Sequence, residues 1–277
     1  METLLVLTDF SEEAKHAAEY AAILAKQLHS KNIVLYHSYQ LPVVFSEGAL
    51  LVTEDDPLEE ESLRQLSELE NELKKNITKN VTIRNRTDTI ALGDISTVAE
   101  QEGAAMIVMG TAGKTKLEEV ILGSAAITVC KNSECPVVLV PAGAELQPVK
   151  HIAFACDLKE VEKTIPVTTL KMMFNEFKVP LAVVNVSEDD EYFAPETRTN
   201  SLVLHDMLKE YSPSYYNSST NNVLEGIVEF TEQYTAALIL LISKRHNFME
   251  GLFYKSLTRK LVHQTPFPLL VIRENQY

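Results

Sequence analysis

The chain has 277 residues, of which 45% are hydrophobic and 23% charged, and its formal net charge is −14. At about 100–200 residues per domain, this length predicts two domains, each with enough apolar material for a core. The negative charge argues against nucleic acid and anionic membranes as partners, because both repel a polyanion, but it leaves open a small anion in a locally favourable pocket.

In chain order, Thr3–Leu7 is a short continuous apolar run, the pattern of a strand buried on both faces. Thr8-Asp9-Phe10-Ser11 breaks it. Ser11 suits a helix N-cap, and Glu12 and Glu13 suit the positive end of the helix dipole. Ala14, Ala17, Ala18, Ala21, Leu24, Ala25 and Leu28 then recur at helical spacing. A second strand is predicted from Asn32 to Tyr36. The segment from Leu41 to Asn76 reads as an acidic loop followed by a surface helix on Leu63, Leu66, Leu69 and Leu73. Ala105–Met109 is a strand. A loop and a helix follow it, and then a closing strand, Cys135–Val140, introduced by Pro136.

The pattern returns after Val149. Lys150–Asp157 is a strand ending in Asp, a helical stretch runs to about Phe177, and Leu181–Val186 is the next strand. Glu188–Asn222 is polar, and one short helix is expected near Asn200–Glu210 within otherwise irregular chain. Ala237–Leu241 and Phe267–Ile272, the latter introduced by Pro268, complete the repeat. Asp9 and Asp157 lie 148 positions apart, whereas Pro136 and Pro268 lie 132 apart, so the second repeat is shorter in its middle. Pro141–Pro148 carries two prolines and a glycine and reads as a linker. Strand–helix alternation predicts an α/β fold, with a parallel sheet covered by helices on both faces.

The three cysteines, Cys130, Cys135 and Cys156, are odd in number and widely spaced, which favours packing over a disulfide framework or a zinc site. With no basic leader and no apolar run near about 18 residues, a cytoplasmic protein is expected.

The segment with chemical content is Gly110-Thr111-Ala112-Gly113, then nine residues, then Gly123-Ser124. The first two glycines follow a predicted strand, where open α/β sheets bind ligands. Glycine lets backbone approach a phosphate closely. Gly123-Ser124 opens a helix whose free N–H groups and dipole favour an anion. Asp9, at the end of the first strand, is either a hydrogen-bonding partner for a ligand or a turn-capping carboxylate. Lys114 either neutralises phosphate charge or faces solvent.

These residues resemble the universal stress protein family of the UspA type, whose ATP-binding members carry G-x2-G-x9-G-(S/T). Gly110, Gly113, Gly123 and Ser124 match that motif, and the resemblance spans both repeats. It implies two Rossmann-like domains of the adenine nucleotide alpha-hydrolase type, each a five-stranded parallel sheet flanked by helices. The domains would be 1–141 and 149–277, joined by the linker 142–148. It implies ATP as ligand, with Mg²⁺ on the phosphates. Asp9 would meet the adenosine end, Leu7 and Thr8 would line the adenine pocket, Met109 and Ala125 would lie beside the nucleotide, and Ser38 would close the end of the second strand. It also implies that the closing strands Val137–Val140 and Leu269–Ile272 pair within one molecule as a pseudo-dimer. Further association into a homodimer and the identity of a protein partner stay open.

The second repeat departs from the motif. Ile242, Arg245 and Lys255 stand where the glycines should be, while Ser256 and Asp157 remain. One ATP per chain, in the first domain, is therefore expected, with side chains on Ile242 and Arg245 filling the second site. Lys244, Arg245 and Lys255 could instead form a basic pocket for another anion. No catalytic set is evident: no HExxH is present, and Ser11 and Ser124 lack an adjacent base. His16 and His37 read as surface or partly packed residues rather than general bases. The expected role is a nucleotide-dependent stress-response or signalling module. A slow ATPase or autophosphorylating enzyme and a non-binding structural pseudo-dimer are the alternatives.

Overall fold

The computed structural model describes residues 1–40, 57–75, 77, 80–111, 122–186, 195–218, 223–233, 237–243, 261 and 266–275. In the first half these form β1 (Thr3–Leu7), α1 (Glu12–Gln27), β2 (Asn32–Ser38), α2 (Pro57–Leu73), β3 (Thr82–Asp88), α3 (Ile95–Gln101), β4 (Met106–Gly110), α4 (Ser124–Asn132) and β5 (Val137–Val140). The second half contributes β6 (His151–Ala155), α5 (Val161–Thr164), α6 (Val167–Phe177), β7 (Leu181–Val186), α7 (Pro195–Leu208), β8 (Ser214–Ser218), α8 (Val223–Gln233), β9 (Ala237–Ser243) and β10 (Leu269–Arg273). The acidic loop expected over 41–56 lies outside the described residues, as do Gly113, Lys114, Lys244, Arg245, Lys255 and Ser256.

Among the described residues, ten strands form one sheet in the order β3-β2-β1-β4-β5-β10-β9-β6-β7-β8. Within each half every pairing is parallel. At the centre β5 and β10 run antiparallel, with Val138 opposite Leu270. The two closing strands thus meet as the resemblance implied, and each covers the other's edge. The fold is α/β, with a mostly parallel sheet between helical layers.

Strand side chains alternate between two buried clusters. One packs α1, α2, α5, α6 and α7 against the first face, through residues such as Tyr20, Leu66, Val161, Phe174 and Leu204. The other packs α3, α4 and α8 against the second face, through Val98, Val129 and Phe230. Both clusters contain residues from both halves.

Three differences from the sequence expectations have physical causes. The helical stretch before Phe177 is two helices, because Pro166 lacks the N–H an uninterrupted helix needs there. Leu63 is exposed, while Leu66, Leu69 and Leu73 are buried, so the apolar stripe of α2 is narrower than expected. The segment expected to be largely irregular holds the long helix α7 and the edge strand β8.

Candidate functional site

The two halves turn out of their first strand in the same way. The Thr8 N–H donates to the Tyr36 carbonyl at 2.9 Å, and the Cys156 N–H donates to the Val184 carbonyl at 3.0 Å. Asp9 Oδ1 accepts from the Ser11 N–H at 3.0 Å, and Asp157 Oδ1 accepts from the Lys159 N–H at 3.1 Å. The residue between is left-handed in each case, Phe10 at φ 63° and Leu158 at φ 52°. An Asp that binds the backbone two residues on stabilises such a turn. In the first half Ser11 then caps α1, its Oγ accepting from the Ala14 N–H at 3.1 Å.

The strand after this turn supplies a second brace. His37 Nδ1 lies 2.7 Å from the Thr8 carbonyl, which can only accept, so Nδ1 carries the proton. Asn185 stands in the matching place and donates from Nδ2 to the Cys156 carbonyl at 2.8 Å. His37 is therefore a structural donor here. The Phe10 ring packs on it, with centroids 4.5 Å apart.

A cleft of about 120 Å³, partly open to solvent, lies at the carboxyl ends of β1, β2 and β4. Of the ten residues expected at the site, Leu7, Thr8, Asp9, Ser38, Met109, Gly110, Gly123 and Ala125 line it. Ser124 is the exposed first residue of α4, beside the lining residues Gly123 and Ala125 but not itself among them. The two ends of the glycine motif are held together, because the Gly123 N–H donates to the Thr111 carbonyl at 2.8 Å. Gly123 is the N-cap of α4 and no side chain caps that end. The first turn of α4 thus presents N–H groups without intrahelical partners toward this corner, at the positive end of the helix dipole.

Sequence reasoning missed part of the lining. Ala14, Tyr36, His37, Leu92, Thr111 and Ala126 also face the cleft. Thr111 and Ala126 adjoin the expected site residues Gly110 and Ala125 and could have been inferred. Leu92 follows an edge strand in a short 3-10 turn and carried no sequence signal. Ser38 lines the cleft, but its hydroxyl donates to the Ile90 carbonyl at 2.6 Å. Burial first, then the hydrogen bond to Asp88, holds the Tyr36 phenol well above its ordinary pKa, so it remains a donor.

The second half differs where the glycines are missing. Ile242 pairs with Ile272 as Gly110 pairs with Val140, so the two positions correspond in register. The Ile242 side chain, however, is buried with Leu238 and Leu240 in the cluster of the first face. Leu241, in the place of Met109, belongs to the other face. Ile242 therefore adds a buried core side chain at the position where Gly110 leaves bare backbone beside the cleft.

Among the described residues, no group of three or more His, Cys, Asp or Glu side chains is arranged to hold a metal ion. No described helix is long and apolar enough to cross a membrane.

The family model described as "Universal stress protein family" matches residues 1–141 and 219–273, well over half of the chain. The chain belongs to the universal stress protein family. Universal stress protein MJ0531 of Methanocaldococcus jannaschii is 31% identical over 141 residues, covering 50% of this chain and 80% of its own. A universal stress protein structure from Archaeoglobus fulgidus covers 98% of both chains at 16% identity with a TM-score of 0.61, so the fold is shared across both halves. Another solved universal stress protein, in complex with cAMP, is 23% identical, covers 50% of this chain and 96% of its own, and has a TM-score of 0.39. The stretch 142–218, outside the family model, includes the connection from β5 to β6 and the polar edge of the second half.

Proposed function

We propose that this chain is a tandem universal stress protein that binds one ATP in the cleft of its first half and serves as a nucleotide-dependent stress-response or signalling module. In this reading residues 1–141 and 149–277 are two domains and 142–148 is the linker. The supporting observation is convergence: Leu7 to Asp9, Ser38, Met109-Gly110 and Gly123 to Ala125 come from separate parts of the sequence and meet at one corner of the sheet.

The residues present fit an adenine nucleotide. Leu7, Tyr36, Leu92, Met109 and Ala126 offer an apolar end for a flat base. Asp9 supplies a carboxylate for ribose hydroxyls. Gly110, Gly123 and the N-terminus of α4 supply bare backbone and a positive dipole for phosphates. Mg²⁺ would ride on the phosphates, whose charge it neutralises. Bound ATP would tie α4 to the turn after β1 and so change the surface offered to a partner.

Mass spectrometry of ligand released from freshly purified protein tests the proposal directly. An adenine nucleotide near one equivalent per chain supports it. No released nucleotide, together with no calorimetric ATP binding, overturns it. Many turnovers of ATP per chain would move the reading from a switch to an enzyme.

A further inference from the structure

The cleft has one wall that no sequence motif describes. It is the stretch from Asp88 to Leu92, which leaves the edge strand β3 and brings Leu92 into the lining. An edge strand has a neighbour on one side only, so its end needs other anchors to stay in place. Here four bonds supply them. Tyr36, buried in the cleft lining, donates its hydroxyl to Asp88 Oδ1 at 2.6 Å. The Ile90 N–H donates to the same oxygen at 2.8 Å. Ser38 Oγ donates to the Ile90 carbonyl at 2.6 Å, and the Tyr39 N–H donates to the Asp88 carbonyl at 3.1 Å. Behind them, Arg86 donates to Asp88 Oδ2 from Nε and Nη2 at 3.1–3.2 Å, and it reaches the end of α3 from Nη2 to Gln101 and from Nη1 to Glu102.

The geometry points to Asp88 as a positioning residue for the base end of the nucleotide cleft, acting through Tyr36 and the Ile90–Leu92 wall. This rests on the nucleotide reading above. Asp88 is not itself among the lining residues. Its carboxylate is the shared acceptor that fixes a cleft ring from β2 and the backbone leading to Leu92 in one arrangement. The phosphate corner, built from β4 and α4, lies outside this network. Loss of Asp88 therefore disturbs the base and leaves the phosphate contacts intact.

The test is calorimetric binding of adenosine and of ATP to the full chain. Asp88→Ala is expected to weaken both by the same factor, on the order of tenfold, since a charge-assisted bond network is lost. Tyr36→Phe, which removes one donor and keeps the ring, is expected to weaken both severalfold and again equally. Asp88→Asn retains an acceptor for Tyr36 and Ile90 and should recover most of the loss. A merely destabilising change would lower the unfolding midpoint without this recovery. Unchanged binding in a folded Asp88→Ala variant, or in Tyr36→Phe should Asp88→Ala not fold, overturns the assignment. Loss of ATP binding with adenosine unaffected overturns it too. If the unmodified chain binds neither compound, the nucleotide reading itself has failed.

Discussion

Asp9 and Asp157 illustrate how one carboxylate can serve two purposes. Each accepts from the backbone two residues on and holds a left-handed residue in place. Survival of Asp157 in the second half is thus accounted for by the turn, and it says nothing about retained affinity for a nucleoside. A carboxylate has about four lone-pair sites, so the turn does not exhaust Asp9. Asp9→Asn preserves an acceptor for Ser11 and is expected to keep the fold, while ATP binding falls about tenfold through lost charge-assisted contacts; titration calorimetry measures it. Cys130 makes a second residue-level prediction. Burial pushes its thiol up to about 12. Cys135, half-buried, is also raised, by burial and then by Glu134. Neither is a thiolate near neutral pH, so iodoacetamide at pH 8 should label them slowly in the native protein and quickly in denaturant. Rapid native labelling at Cys130 would contradict its packing in the sheet-facing side of α4.

At the level of elements, the central strands and α1 were legible because burial on both sheet faces leaves continuous apolar runs, and because Ser11 marks the helix start. The strands β3 and β8 were not. Each lies at an edge with a single strand neighbour, and their sequences, Thr-Ile-Arg-Asn-Arg-Thr-Asp and Ser-Tyr-Tyr-Asn-Ser, carry few apolar residues. The glycine corner was legible from its spacing, its place after a strand and before a helix, and the family resemblance, whereas the Tyr36 and Leu92 side of the cleft depends on tertiary contacts that no local pattern encodes. The start of α4 offers a test with opposite signs. Gly123→Asp places a side-chain acceptor at an N-cap that has none and should raise helix stability by a few tenths of a kcal/mol. The same charge sits where phosphates are proposed to bind and should abolish ATP binding. Denaturant midpoint and calorimetry on one variant check both, and retained ATP binding would refute the phosphate assignment.

On the scale of the whole chain, the two halves share their cores as well as their sheet. Leu4 and Leu270 belong to one buried cluster, and Leu5 and Leu269 to the other. Chemical unfolding is therefore expected to be one transition, coincident by fluorescence and circular dichroism, and not two. The stretch joining β5 to β6 adds ties of its own. Gln27 on α1 donates to the Val149 carbonyl at 2.8 Å and accepts from its N–H at 2.9 Å, as a strand neighbour would. His16 donates to the Ala144 carbonyl at 2.8 Å. Gln27→Ala removes both Val149 bonds and should cost about 1–3 kcal/mol, read from the denaturation midpoint.

The antiparallel seam between β5 and β10 gives the molecule a heading. Parallel strands in one half point their carboxyl ends one way, and those of the other half point the opposite way. Two identical chains joined at such a seam would present the same face fore and aft. One chain carrying two unlike halves need not. If the first half binds a nucleotide as proposed, that ligand sits at one end of the sheet only, and a partner on the opposite end would meet the other half.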